Sequence, residues 1–65
     1  MTSIFKATTS EQHRALLAGL ARAGYRVEDA SRLNAHNCVR VEHRFDQAAD
    51  VEAQVRAIDP SAERM

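Results

Sequence analysis

The chain has 65 residues, nine basic against nine acidic side chains for a net charge of zero, and a single cysteine, Cys38. That length holds one domain, residues 1–65, with a thin core, since a chain of this size buries only about 60% of the surface it exposes when unfolded. One cysteine excludes an internal disulfide and a cysteine-based zinc site, and it suits a reducing compartment.

Met1 to Lys6 lacks the apolar stretch of a signal peptide, and no apolar run approaches the ~20 residues that span a bilayer. The expected location is the cytoplasm of a bacterial host cell, with the Ala/Arg-rich, Lys-poor usage hinting at a GC-rich genome. Residues 3–8 read as a short strand carrying Ile4 and Phe5. Thr8 with Glu11, and Thr9 with Gln12, stand at capping-box spacing, so a helix should start near residue 10. Leu16, Leu17 and Leu20, preceded by His13, form its apolar stripe. Gly24 suits the left-handed residue after a helix, which ends this one near Ala23.

Tyr25-Arg26-Val27-Glu28 alternates as a half-buried strand does. Between 27 and 33 the pattern is open to strand or helix. Asn34-Ala35-His36-Asn37 reads as a turn. Residues 38–45 alternate, with Val39, Val41, His43 and Phe45 on one face and Cys38, Arg40, Glu42 and Arg44 on the other. Asp46 can cap a second helix whose apolar residues are Ala48, Val51, Val55 and Ile58, with Glu52 and Arg56 as an i, i+4 pair. Asp59-Pro60 ends it, and 61–65 is a short polar tail, frayed or a small edge strand. The expected fold is α+β: a single domain in the order β-α-β-β-α, an antiparallel sheet with two helices packed on one face, like a ferredoxin-like unit missing its last strand.

Catalytic chemistry finds little support. His13, His36 and His43 show no HxH or HxxxH spacing and read as structural. Cys38 and His43 fall on opposite strand faces, so they do not make a nucleophile pair; Cys38 reads as a surface or hairpin-end thiol. Neither a metal nor a cofactor is expected. The strand 3–8, Ser10-Glu11-Gln12-His13-Arg14-Ala15-Leu16-Leu17 and Val39-Arg40-Val41 locally resemble the small 4-oxalocrotonate tautomerase family. That family works through an N-terminal proline. Thr2 stands there, and Pro60 is the one proline, so tautomerase activity is not expected and the chain reads as non-enzymatic.

Two binding readings remain. In the first, residues 10–34 form a helix-turn-helix with a second helix from Val27 to Leu33, and Arg32 and Asn34 contact DNA. Zero net charge and three aromatic residues, Phe5, Tyr25 and Phe45, weigh against direct nucleic-acid binding. In the second, the partner is a protein. Residues 1–40 carry six bases and three acids and residues 41–65 the reverse, so acidic Glu42, Asp46, Asp50 and Glu52 could dock on a basic groove, with the sheet arginines Arg26, Arg40 and Arg44 as a second patch. In size, neutrality and lack of a catalytic motif the chain resembles, in general type and without a shared motif, small phage-encoded inhibitors of bacterial defence, including anti-CRISPR proteins. The resemblance implies a CRISPR effector complex as partner, blocked DNA binding or nuclease recruitment as effect, and a monomer or homodimer.

Overall fold

The computed structural model describes every residue except Asn34. The elements are β1 (Thr2–Lys6), α1 (Ser10–Arg22), β2 (Arg26–Asp29), β3 (Cys38–Glu42), a 3-10 turn (Phe45–Gln47), α2 (Ala48–Ile58) and β4 (Glu63–Arg64). The strands form one antiparallel sheet in the order β2-β3-β1-β4. That is α+β, with two β-α-β units interleaved so that each pair of parallel strands is separated by a strand of the other unit. The split β-α-β arrangement is complete: the tail supplies the fourth strand, Glu63 and Arg64 pairing with Lys6 and Phe5. Of the two readings of residues 61–65, frayed tail or small edge strand, the second holds; two residues leave no room for the alternation that would have decided it from sequence.

Helix α1 begins where its caps direct. Thr9 is the N-cap and its hydroxyl accepts from the Gln12 amide at 3.1 Å, and Gly24 follows the helix with φ +98°. Leu16 and Leu20 of α1 and Val51 and Val55 of α2 meet Phe5, Val39 and Val41 of the sheet in a core where all are essentially inaccessible. The two helices cover one face of the sheet. Pleating puts Thr2, Ile4 and Lys6 of β1, Arg26 and Glu28 of β2 and Arg40 and Glu42 of β3 on the other, open face.

Several local expectations are corrected. β3 stops at Glu42, so Arg44 and Phe45 leave the sheet, and Phe45, expected in the core, is 82% exposed. Asp46 lies inside the 3-10 turn instead of capping α2. Glu52 pairs with Arg64 at 3.3 Å, and Arg56 donates to the Ala62 carbonyl. Cys38, expected as a surface or hairpin-end thiol, stands at the hairpin end of β3 and is buried, because the hairpin loop folds over its side of the strand. Residues 26–29 are strand and Arg32 bridges to Ala35, so no recognition helix forms at 27–33. Asn34, named as its other contact, lies outside the described residues.

Candidate interaction surface

Seven charged residues were singled out by sequence, and the structure divides them among three places. Arg26, Arg40 and Glu42 lie on the open sheet face, where charges alternate in sign across neighbouring strands. Arg40 reaches Glu28 at 3.2 Å and Arg26 reaches Glu42 at 3.7 Å. The face is therefore a mosaic of paired charges instead of an arginine patch. Glu52 belongs to the α2–β4 side through Arg64. Asp50 is two residues before it, and residues two apart on a helix do not share a face.

The remaining three, Arg44, Asp46 and Asp50, lie in and just after the link between β3 and α2, near Tyr25. The link between β3 and α2 is built so that its backbone is held while its aromatic ring is not. The Arg44 amide donates to Gln47 Oε1 at 2.9 Å, the Gln47 amide donates back to the Arg44 carbonyl at 3.0 Å, and Arg44 Nε donates to Asp46 Oδ1 at 3.1 Å. On the next turn Asp50 accepts from the Tyr25 hydroxyl. That hydrogen bond, with some burial and the Asp50 charge, holds the Tyr25 phenol above its ordinary value. Phe45 thus projects from an ordered turn, flanked in the chain by Arg44 and Asp46, with the Asp50–Tyr25 pair at the start of the following helix. Nothing in the sequence signals this, since Phe45 continues the alternation of β3 without a break.

Three polar contacts invisible to spacing are buried joints. His43 Nδ1 lies 2.8 Å from the Arg44 carbonyl, which can only accept, so Nδ1 carries the proton and Nε2 accepts from the Ser3 hydroxyl at 2.7 Å. The geometry is that of a serine–histidine pair, but both residues are buried and neither lines a surface hollow. It fastens the start of β1 to the end of β3. His13 Nε2 stands 3.1 Å from the Cys38 carbonyl and 3.2 Å from Asp29 Oδ1. Both are acceptors, so this nitrogen is the donor. The Asp29 carboxyl is held below its usual range, first by the Ser31 backbone amide and then by the Ser31 side chain and His13.

The third joint is Asp59, 2% exposed. Its carboxylate accepts from the Thr8 amide at 2.7 Å, the Thr8 hydroxyl at 2.7 Å and the Ser61 amide at 3.2 Å. Burial pushes this carboxyl up. The Thr8 and Ser61 hydrogen bonds and the Arg56 charge outweigh burial and leave it below its ordinary value.

Among the described residues, two hollows open on the surface. One of about 230 Å3 lies beside Lys6, Thr8 and Ser61 and is neighboured by the Asp59 joint. The other, about 330 Å3, lies between the open face and the hairpin loop, over Ile4 and Cys38 and beside Arg32, Arg40 and Met65. Among the described residues no three His, Cys, Asp or Glu side chains are grouped as metal ligands, and no helix is long and apolar enough to cross a membrane. Comparison with protein-family models, with curated proteins and with solved structures gave no match.

Proposed function

We propose that this chain is a non-enzymatic binding protein that docks on a protein partner through the Phe45 turn. The setting that suits its size and neutrality is that of a small phage or mobile-element inhibitor acting on a host defence assembly such as a CRISPR effector, by blocking DNA binding or nuclease recruitment. One observation carries the reading: the 82% exposure of Phe45 on a turn whose two ends, Arg44 and Gln47, are tied to each other. Burying a phenylalanine side chain is worth about 1.5–3 kcal/mol, and a domain this thin has few such side chains to spare. An aromatic ring held out on an ordered turn and flanked by charges has the form of an interface anchor. Asp46 next to it and Asp50 at the start of the following helix favour a partner whose apolar pocket is edged by basic groups, as nucleic-acid-binding grooves are.

The test is functional. The chain is produced in bacteria carrying defined CRISPR systems and challenged with a targeted phage. Restored plaque formation that is lost in Phe45→Ala, and reduced in the double reversal Asp46→Lys/Asp50→Lys, supports the reading, provided circular dichroism shows both variants folded. Restoration that survives Phe45→Ala removes the turn from the mechanism. Failure to restore plaques in every system tested removes the defence setting.

A further inference from the structure

β2 is a terminal strand of the sheet, and its free edge carries its own pairing instructions. The Ala30 amide donates to the Cys38 carbonyl at 2.9 Å, and β2 runs against β3 in the register Arg26–Glu42, Val27–Val41, Glu28–Arg40 and Asp29–Val39. In an antiparallel pair the residues whose N–H and C=O both point at the partner alternate with those whose groups point away. Arg26, Glu28 and Ala30 therefore aim their backbone at β3. Tyr25, Val27 and Asp29 aim theirs outward. The Tyr25 amide is already spent on the Leu20 carbonyl at 3.1 Å, which leaves the Tyr25 carbonyl and both groups of Val27 and of Asp29 along the edge.

We propose that this edge joins two copies of the chain about a two-fold axis at Val27, making one continuous eight-stranded sheet. The register follows from two constraints. Outward-facing residues must meet outward-facing residues, which excludes every slip by one. Among the rest, moving one way sets Arg26 against the partner's Arg26, and moving the other way sets Glu28 against the partner's Glu28. Like charges directly opposite are destabilising. Only the register centred on Val27 sets Arg26 against the partner's Glu28, twice by symmetry. Val27 and the partner's Val27 then exchange both backbone hydrogen bonds, and each Asp29 amide meets the partner's Tyr25 carbonyl.

The open faces become continuous, and their charges alternate across the junction. Glu42 and Arg26 of one copy are followed by Glu28 and Arg40 of the other, extending the two ion pairs already present within each chain. Lone charged edges are a common defence against strand addition. This edge differs in that its charges are self-complementary in one register. The proposal is independent of the Phe45 reading.

Sedimentation of the full chain over a dilution series tests it. An interface of this size lies at the weak end of specific association, so the series starts from the concentrations of an NMR sample. Dimer is expected, weakened by about tenfold or more in Arg26→Glu and in Glu28→Arg, because each variant puts two like-charged pairs at the junction. An equal mixture of the two variants restores the dimer. The acid introduced at position 26 of one then faces the base introduced at position 28 of the other, while the unaltered Glu28 of the first faces the unaltered Arg26 of the second. Mixing repairs no damage inside either chain, so regained association cannot come from refolding. Val27→Pro removes an outward N–H without touching the β2–β3 ladder and is expected to be monomeric. A wild-type chain that sediments as monomer throughout overturns the proposal. So does a dimer indifferent to all three substitutions, or a mixture that stays monomeric.

Discussion

Asp59 offers the most quantitative check on how this small domain holds together. Its carboxylate joins the C-terminus of α2 to the β1–α1 connection, and three donors converge on it at 2.7, 2.7 and 3.2 Å. Hydrogen bonds to charged groups contribute about 1.5–3 kcal/mol each before the shared cost of burying the charge is subtracted. Truncation in Asp59→Ala also leaves the part-buried Thr8 and Ser61 amides without their acceptor, so a net loss of about 2–4 kcal/mol is expected. At roughly 0.05–0.15 kcal/mol per residue the whole domain holds about 3–10 kcal/mol, so this one side chain carries a large share. Asp59→Asn keeps the shape but sets an NH2 against donors, and should lose about 1–2 kcal/mol.

The two differ in pH response. The folded carboxyl sits below its ordinary value, so its stabilisation is present above the unfolded pKa of about 3.9 and is lost as pH falls through the folded one. Urea denaturation followed by circular dichroism, at neutral pH and stepwise into acid, measures both effects. The gap between wild type and Asp59→Asn should be widest at neutral pH and close in acid. A gap under about 0.5 kcal/mol at neutral pH, within the ordinary range for surface substitutions, would refute the reasoning, as would one that does not change with pH.

Other substitutions probe other parts. Phe45→Ala should shift the urea midpoint by less than about 0.5 kcal/mol equivalent, because the ring makes little contact with the core; a loss of core size would show that the ring is packed. Ser3→Ala leaves His43 Nε2 buried without its donor and should cost about 1–3 kcal/mol, read from the same melts. A Cβ at Gly19 would come within 2.5 Å of Ile58 Cδ1. Gly19→Val should therefore cost about 1–3 kcal/mol, and Ile58→Val in the same chain should return part of it; strictly additive effects would mean that the two helices do not meet there. Cys38 should react with a thiol reagent only on unfolding, its side chain being buried, and rapid labelling of the native chain would contradict that.

What the sequence made legible was whatever has a period or a local cap. The α1 stripe, Thr9 at its start, Gly24 after its end and the alternation through Val39 and Val41 each depend on neighbours a few residues away, and all of them appear in the fold. The joints that lock the elements together have no such signature. Thr8 and Asp59 are 51 residues apart, and Ser3 and His43 are 40 apart. Three of those four residues also have an adequate local role to suggest: Thr8 as a cap, Asp59 as a helix stop, His43 as the next inward position of a strand. Local explanations absorbed them and the long-range contacts stayed hidden.

The surface followed the same logic in reverse. Glu42, Asp46, Asp50 and Glu52 cluster along the chain, and sequence proximity suggested one acidic face. A strand end, a 3-10 turn and a helix divide those four among three places, with Asp46 and Asp50 alone left near each other, and each finds a separate partner: Arg26, Arg44, Tyr25 and Arg64. Charge that is satisfied in pairs contributes little net field to attract a partner from a distance, and exposed pairs contribute little stability. Among the described residues, the groups left unsatisfied include the apolar ring at the Phe45 turn and the backbone along β2. An interaction surface in a neutral domain is better sought in such unspent groups than in its charge count, and here the two lie on different elements, one offered by a side chain and the other by the peptide groups of an edge. A partner and a second copy could then be held at once, provided that the copy closes β2 without covering the turn. A dimer that still loses its partner on Phe45→Ala would establish that separation, whereas competition between dimer formation and partner binding would place both on one surface.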